Sequence, residues 1–425
     1  MLFDKAAQKK YMIGYDLRDD TCQISYGEMD QVGKMDEPVT VSGIPGTESF
    51  DLPLFLCRNR KTGEWIYGEK AREKSSDPSW EFVSNLLLMS MEGEKVTLGG
   101  KEYEAVALLA RYIGNSLSEL PLPDVDSAFV AVMFTSRTMD SRKISLLEEV
   151  RKRLNLACHV FYQDYGGSYY DFMLNQPRAL REPASALFQY EEGKKLRVSK
   201  LIFNLKTKPI VADEEEKEYP GIFAKDQAGR DKELSTILEE ELADRSYASV
   251  YFIGSGFKGS WMKQSTEVAC SGGRRAFAGG NLFSKGAVYA VADKVSPSLI
   301  TSSYFLLDGN KLRTNILTKV YRNGRQETIT LVNAGQNWYE VDESTDLVLE
   351  STGEINLILK PITGGEESPF HIRLEGLPVR QGRITRIRLE FSMDSPSKVI
   401  LLMTDLGFGE IFPSCGLKWK QEITV

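Results

Sequence analysis

A stretch in which helical and strand-like periods alternate is the feature of this sequence that most narrows its fold. Apolar residues recur at helical spacing over Tyr103–Leu117 and again over Ser141–Leu154. Each of these segments is followed by a continuous apolar run typical of a buried strand, at Ser127–Phe134 and at Ala157–Tyr162. Helices that alternate with strands are characteristic of α/β proteins. The sequence therefore predicts an α/β fold with a partly parallel sheet.

Two β-hairpins are predicted on either side of this stretch. The first pairs Tyr11–Leu17 with Thr21–Tyr26. The second pairs Ser185–Tyr190 with Leu196–Asn204 around the turn Glu191–Lys194. Strand hairpins are thus expected both before and after the alternating segment.

Local patterns predict three further elements. They are a strand pair at Leu52–Cys57 and Glu64–Tyr67, a helix at Lys232–Ala243, and a buried strand at Ser249–Ile253. The acidic run Asp213–Glu218 is interpreted as a solvated loop, because like charges in sequence usually face water.

The helical pattern disappears beyond Ser296–Ser298. Strand-like segments separated by turn residues continue from there to the C-terminus, which predicts an all-β domain. A chain of 425 residues is expected to hold more than one domain, since single domains usually span about 100–200 residues. We therefore expect an α/β body over residues 1–295 and a β-sandwich-like domain over residues 300–425.

Charge and hydropathy exclude some classes of protein. The formal net charge of −7 disfavours a nucleic-acid binder, because affinity for phosphate backbones comes from clustered lysine and arginine. No apolar run approaches the roughly 18 residues that a membrane-spanning helix needs. The segment Met1–Lys5 lacks the apolar region of a secretory signal, so a cytoplasmic location is expected.

Cysteine and histidine give little evidence of a metal or nucleophilic site. The five cysteines lie far apart without CxxC spacing, and we interpret them as buried free thiols. His159 lies within an apolar run and is expected to be a core residue, and His371 is the other imidazole.

One glycine motif matches a nucleotide-binding pattern. Gly254–Gly259 reads GxGxxG after a predicted strand, whereas the P-loop pattern GxxxxGK[ST] is absent from the sequence. A dinucleotide site would also require a long helix and an acidic residue about 20 positions further on. That neighbourhood, Ala278–Leu282, contains no carboxylate. A dinucleotide-dependent oxidoreductase is therefore the least favoured alternative.

The order of these elements resembles the superfamily of actin, sugar kinases and the ATPase domain of heat-shock chaperones. Gly14–Leu17 is similar to the first phosphate hairpin, Val250–Phe257 to the turn that contacts adenosine, and Ala278–Ala292 to the closing helix. Pro53–Ala71 also resembles the chaperone pattern. The resemblance covers most of residues 8–293 and implies an actin-like ATPase fold, with two similar α/β halves around a cleft, followed by the all-β domain.

The resemblance also implies a nucleotide site formed by Asp16, Gly254, Gly256, Phe257 and Lys258. In that site Asp16 would hold a magnesium ion through water. The alternative, which is equally consistent with the sequence, is that Asp16 is a turn residue at the end of a strand. The two glycines would let a purine lie against the backbone, but any tight strand-to-helix turn also requires glycine. No general base and no direct metal ligand is assigned. ATP or ADP with magnesium is the cofactor implied, if the site binds one.

The predicted phosphate loops depart from the superfamily pattern. Small residues are expected after the first aspartate, but this chain has Arg18–Asp20. Glycines are expected in the second hairpin, where it has Gln189–Gly193 with two glutamates. A competing register, Asp164–Ser168, precedes a helix-like segment, so we favour Ser185–Asn204 as the second hairpin. Carboxylates in both loops would repel a polyphosphate.

These departures predict a heat-shock-chaperone-like protein with weak or absent ATP hydrolysis, acting as a protein-binding or scaffold module. By analogy with chaperones, a protein or peptide partner is expected to bind the C-terminal β domain, for instance by strand addition. Within that domain, Asp405–Pro413 is interpreted as a hairpin connection rather than a ligand site. The alternative is an active magnesium-dependent ATPase or small-molecule kinase of the same fold.

Overall fold

The computed structural model describes residues 11–29, 35–44, 46–122, 129–224, 226–349, 353–362, 365–378, 380 and 385–425. Two compact units divide the chain, Met1–Leu306 and Leu307–Val425. The sequence placed this boundary earlier, between residues 295 and 300. It lies later because a strand at Tyr304–Leu307 still joins a sheet of the first unit.

The strands of the first unit, in chain order, are β1 (Tyr11–Leu17), β2 (Thr21–Glu28), β3 (Val39–Thr40), β4 (Leu52–Pro53), β5 (Leu56–Asn59), β6 (Trp65–Tyr67), β7 (Trp80–Val83), β8 (Lys95–Leu98), β9 (Lys101–Glu104), β10 (Phe129–Ser136), β11 (His159–Asp164), β12 (Ala184–Tyr190), β13 (Leu196–Asn204), β14 (Ile210–Tyr219), β15 (Ser249–Ile253), β16 (Arg275–Gly279) and β17 (Tyr304–Leu307). Its α-helices are α1 (Gly68–Glu73), α2 (Leu86–Glu92), α3 (Ala105–Ser118), α4 (Ser141–Leu154), α5 (Tyr165–Leu174), α6 (Arg178–Arg181), α7 (Gln227–Glu241), α8 (Gln264–Cys270) and α9 (Leu282–Val295).

Two larger sheets of the first unit share one pattern of strand pairing. The first has the order β11-β10-β1-β2-β3, with β4 beside β2, and the second has the order β16-β15-β12-β13-β14-β17. In each, a central strand forms an antiparallel hairpin on one side and a parallel pair on the other, which are β1–β2 and β1–β10 in the first sheet. The corresponding pairs in the second sheet are β12–β13 and β12–β15. The predicted mixed α/β class is confirmed.

Helix α9 packs closely against β1 and α5. A side chain at Gly14 would place its Cβ 2.1 Å from the Ser284 carbonyl oxygen, so this crossing of strand and helix requires glycine. Beside it, the rings of Tyr165 and Phe283 stack with centroids 3.7 Å apart. Met12, Met133 and the apolar side chains of α9 complete a buried cluster. This contact joins the first sheet to the helix that follows β16.

Most predicted elements of the first unit are confirmed, and two interpretations are wrong. Asp213–Glu218 lies within strand β14, paired with β13, rather than in a loop. Its carboxylates are accommodated because basic side chains such as Arg137 and Arg197 form ion pairs with them. His159 is exposed rather than in the core, because it begins β11 at the edge of its sheet.

The cysteine prediction is confirmed in part. Cys22 and Cys57 are buried free thiols, whereas Cys158 is half-buried and Cys270 and Cys415 are exposed. Of the two exposed thiols, Cys270 is the last residue of α8 and Cys415 lies in a loop.

The second unit contains β18 (Thr314–Arg322), β19 (Arg325–Val332), β20 (Asp342–Leu349), β21 (Glu354–Pro361), β22 (Ser368–Arg373), β23 (Thr385–Ser395), β24 (Lys398–Asp405) and β25 (Lys418–Thr424). They form two four-stranded antiparallel sheets, β19-β18-β21-β22 and β20-β23-β24-β25. Buried and exposed residues alternate along β21 and β23, so each sheet buries one face. The predicted β-rich C-terminal region is confirmed.

Among the described helices, none is both long and apolar enough to cross a membrane.

Candidate functional site

A cavity of about 510 Å³ lies in the first unit, where the two larger sheets approach each other. One wall comes from the first sheet and its connections, with Arg18, Gln23 and Glu48–Asp51. The opposite wall comes from the second sheet and the segments after β12, β15 and β16. Its volume falls within the range of small-molecule pockets, about 300–1,000 Å³. We call this cavity the cleft.

The predicted nucleotide-site residues lie in or beside the cleft. Gly254, Phe257 and Lys258 line it. Asp16 is fully buried behind Arg18, the side chain of which faces the cleft. Gly256 follows Gly254 but is packed beneath the turn. The sequence thus brought together residues that are neighbours in space.

Both carboxylate oxygens of Asp16 are already used. Oδ2 accepts hydrogen bonds from Arg18, with Nε and Nη2 each 2.8 Å away, and Oδ1 accepts one from the Tyr165 hydroxyl at 2.7 Å. Burial raises the pKa of Asp16, while the Arg18 charge and the Tyr165 hydroxyl oppose that rise. Asp16 therefore faces protein donors rather than open solvent.

A second polar group fixes the same wall of the cleft. Arg18 Nη1 also contacts Asp51 Oδ1 at 3.0 Å, and Gln23 Nε2 donates to that oxygen at 2.8 Å. Gln23 Nε2 donates in addition to the Gly280 carbonyl at 2.7 Å, which bridges the cleft walls. The Gln23 Oε1 atom is buried and has no hydrogen-bond partner among the described residues. Within the described residues, this oxygen is therefore an unpaired hydrogen-bond acceptor in the cleft wall.

On the opposite wall, the Glu191 side chain is hydrogen-bonded to the backbone amide of Ser255, in the turn after β15. Its Oε2 accepts a hydrogen bond from the Ser255 backbone N–H at 3.0 Å and another from the Ser255 hydroxyl. The neighbouring Glu192 points elsewhere and contacts Arg230 Nη1 at 3.3 Å. A carboxylate of the protein thus sits where an anionic ligand would need a free amide.

The turn after β15 is built for packing. Gly254 has φ +111°, and a Cβ there would lie 2.3 Å from the Tyr190 carbonyl oxygen. A Cβ at Gly256 would meet the Tyr190 ring at 2.2 Å. Phe257 is buried and makes an edge-to-face contact with Phe252. Close packing is therefore enough to explain why these positions carry two glycines and a phenylalanine, without a ligand.

The cations of the cleft differ in their availability. Arg18 is committed to Asp16 and Asp51, and Lys285 forms an ion pair with Glu37 at 2.7 Å. Lys258 is exposed and forms no ion pair within the ranges that the structure describes. Lys258 is therefore the cleft cation most open to a ligand.

Acidic residues expected at the first loop do not face the cleft. Asp19 and Asp20 are exposed in the turn between β1 and β2, and the negative charge of this wall comes instead from Glu48 and Asp51. The sequence did not single out Asp51, Gln23 or Tyr165, because the hydrogen bonds that place them in the cleft wall join residues far apart along the chain. An acidic residue followed by a strand at Leu52 was the only local signal for Asp51.

The choice between two registers for the second hairpin agrees with the local structure. Ser185–Asn204 continues as the antiparallel pair β12–β13. Asp164 instead begins α5, where its Oδ1 accepts a hydrogen bond from the Gly167 amide at 2.9 Å. The motif Asp164–Ser168 is therefore a helix start.

Neither a metal cluster nor a dinucleotide motif stands out. In the described part of the chain, no group of three or more His, Cys, Asp or Glu residues could hold a metal ion. Gly254–Gly259 contains a short 3₁₀ turn, Ser255–Phe257, and the next helix is the 7-residue α8 rather than the long helix of a dinucleotide fold. As it stands, the cleft is a polar cavity whose strongest anion-binding and cation-binding groups contact one another.

Comparisons with known proteins identify two families. The model described as "Domain of unknown function (DUF8552)" matches residues 311–425. The comparison with curated proteins gave no match. The model described as "Family of unknown function (DUF5716) C-terminal" matches residues 37–309, more than half of the chain, and the chain therefore belongs to that family.

Proposed function

We propose that this chain is a divergent member of the actin-like ATPase superfamily that works as a protein-binding or scaffold module, with weak or absent ATP hydrolysis. The shared pairing pattern of the two larger sheets supports the fold part of this proposal, because a duplicated α/β half is what the resemblance implies. The position of Gly254, Phe257 and Lys258 beside the cleft supports the same reading. A cytoplasmic location belongs to the proposal as well.

The proposal of weak or absent ATP hydrolysis rests on one observation: charged groups of the cleft form hydrogen bonds and ion pairs with other groups of the protein. A triphosphate would have to displace Glu191 from the Ser255 amide and would add negative charge beside Glu48 and Asp51. A water-bound magnesium ion would have to compete with Arg18 and Tyr165 for Asp16. The residues present therefore fit magnesium-bound ATP poorly, since like charges at close range and lost hydrogen bonds both oppose binding.

The second unit offers a surface for the partner. The connection between β24 and β25 exposes four large apolar side chains, of which Ile411 is 83% exposed and Phe408 47% exposed. Phe412 and Leu417 are the other two. The start of this connection is held by Asp405, which accepts two hydrogen bonds from Arg380 at 2.8 Å each. An ordered loop that presents apolar side chains to solvent is typical of a contact surface. We propose that a protein or peptide partner binds here.

The partner surface can be tested with charge substitutions. A double variant, Phe408→Asp with Ile411→Asp, should lose a partner that the wild-type chain retains in a pull-down. Leu299→Asp is the matched control, because Leu299 is 89% exposed but belongs to the first unit. Equal retention by both variants would remove the loop from the proposal.

A second candidate function is an active magnesium-dependent ATPase or small-molecule kinase. The cleft favours it in two respects, since Lys258 is free of ion pairs within the described residues and Gln23 Oε1 lacks a partner there. A polar ligand that supplies a donor and a negative group would satisfy both.

Calorimetric titration of the full chain with ATP, with and without magnesium, separates the two functions. The scaffold proposal predicts weak binding that magnesium does not strengthen, and no phosphate release above the buffer rate. Tight, metal-dependent binding with turnover that is lost in Asp16→Ala would instead establish the enzyme.

A further inference from the structure

Strand β16 ends the second large sheet, and its outer side carries no partner. It pairs in parallel with β15 only, and within the described ranges no other strand lies against it. The Arg275 N–H donates to the Ala248 carbonyl at 3.2 Å, so Arg275 bonds towards β15. In a parallel ladder the bonding direction alternates, which turns the N–H and C=O groups of Ala276 and Ala278 outward.

This edge lacks the usual protection against strand pairing. Natural edge strands are commonly very short, charged, bulged or interrupted by proline. At the edge of the first sheet, β3 is only 2 residues long. By contrast β16 has 5 residues, of which Arg275 alone is charged, and all but the half-buried Ala276 are exposed. The edge of β16 is therefore available for pairing.

A cavity of about 440 Å³ adjoins this edge on one face of the sheet. Its aromatic wall contains Phe277, Tyr251 and Phe172, with the Phe277 and Tyr251 rings stacked at 5.0 Å and Phe172 edge-on to Tyr251 at 5.8 Å. Gly279 also lines the cavity, and a Cβ there would meet nothing within 4 Å. The absence of a side chain at Gly279 leaves room above the strand for a side chain of a ligand.

The cavity lining carries one ion pair, Lys285 with Glu37, and the strand beside it adds the positive charge of Arg275. Arg275 shares a strand face with Phe277 and Gly279, because alternate residues of a strand point to the same side. It is exposed and has no ion pair among the residues described. An acidic side chain opposite Arg275 would complete that pair.

We propose that the outer edge of β16 binds an extended peptide segment as an added strand. The segment places an apolar side chain in the 440 Å³ cavity and an acidic side chain, on the same face, against Arg275. Its backbone pairs with the outward groups of Ala276 and Ala278, as in other cases of strand addition. This site lies in the first unit and is separate from the loop proposed for the C-terminal partner.

Fluorescence anisotropy of the full chain with a labelled synthetic peptide tests the site. The probe is an extended peptide of about eight residues. Phenylalanine stands at its centre, a glutamate lies two positions before it and another two positions after it, and the remaining residues are threonine. We expect saturable binding to the wild type. Arg275→Glu should weaken binding at least about tenfold, and a probe with lysine for glutamate should recover much of the loss.

The backbone pairing is tested by a matched pair of variants at one position. Ala278→Pro removes an outward N–H that the β15–β16 ladder does not use, whereas Ala278→Val retains it. Proline should weaken binding at least about tenfold relative to valine, with the thermal unfolding of both variants measured as the folding check.

Probes methylated on backbone nitrogen give a second readout that needs no variant. One probe is methylated at its odd-numbered residues and the other at its even-numbered residues. One of the two should lose binding and the other should keep it, because only alternate amides of an added strand face β16. Absence of saturable binding, or equal binding of both methylated probes, would overturn the proposal. The ATP titration is independent of either result.

Discussion

Arg18 and Asp16 form a buried ion pair in which the guanidinium Nε and Nη2 atoms each lie 2.8 Å from the same carboxylate oxygen. The Asp16 side chain is fully buried and that of Arg18 is 20% exposed. Arg18 also contacts Asp51 across the end of the β1–β2 hairpin. The pair therefore closes the base of the cleft and determines what that base can bind.

Removing Arg18 alone should destabilise the first sheet. Arg18→Ala leaves the Asp16 carboxylate buried with only the Tyr165 hydroxyl, and loss of one partner of a buried pair costs about 3–5 kcal/mol. Hydrogen exchange of the amides in β1 and β10, followed by mass spectrometry, should show faster exchange. The double variant Asp16→Asn with Arg18→Met should exchange more slowly than Arg18→Ala. If Arg18→Ala exchanges like the wild type, the pair is not structural.

An exposed ion pair provides the control for that experiment. Lys95 and Glu102 lie 2.7 Å apart with more than half of each side chain exposed. Lys95→Ala should leave exchange in β1 unchanged, because exposed pairs contribute little to stability.

Removing the Glu191 carboxylate should improve nucleotide binding. Glu191→Ala frees the Ser255 amide and deletes one negative charge from the cleft, so affinity for ATP should rise at least about tenfold in calorimetric titration. Glu192→Ala deletes the same charge one position away without freeing that amide, and should produce a smaller gain. Equal gains would show that net charge, rather than occupation of the amide, limits binding.

Two glycines of the cleft should respond differently to alanine. Gly254→Ala forces a Cβ to within 2.3 Å of the Tyr190 carbonyl at φ +111°, which should cost at least about 2 kcal/mol and lower the melting temperature. Gly279→Ala meets no atom within 4 Å and should change stability little. A melting temperature of Gly254→Ala equal to that of Gly279→Ala would contradict the close packing of this turn.

The local parts of the cleft were predictable from the sequence, whereas its cross-chain contacts were not. The β1–β2 hairpin and the turn after β15 follow from apolar runs bounded by turn residues, so Asp16 and Gly254 were found. The Tyr165 contact with Asp16 joins residues 149 positions apart, and no local pattern encodes it. Strand β14 was missed for a related reason, since its acidic side chains are neutralised by basic residues from other segments. Propensity alone could not anticipate that compensation.

Acid should weaken the second unit through Asp405. The two hydrogen bonds from Arg380 hold the pKa of this buried carboxyl well below its usual range, and the Cys415 and Gly407 amides act in the same direction. A carboxyl with a lowered folded-state pKa stabilises the fold above the unfolded-state value of about 3.9 and loses that contribution as the pH falls below it. Urea unfolding between about pH 7 and pH 2.5 should therefore show a steeper loss of stability in the wild type than in Asp405→Asn. At about pH 7 the variant should be less stable by about 3 kcal/mol, because Arg380 is left buried without its anion. The gap should narrow towards acid, and a gap that stays constant across this range would show that folding does not lower the pKa of the carboxyl.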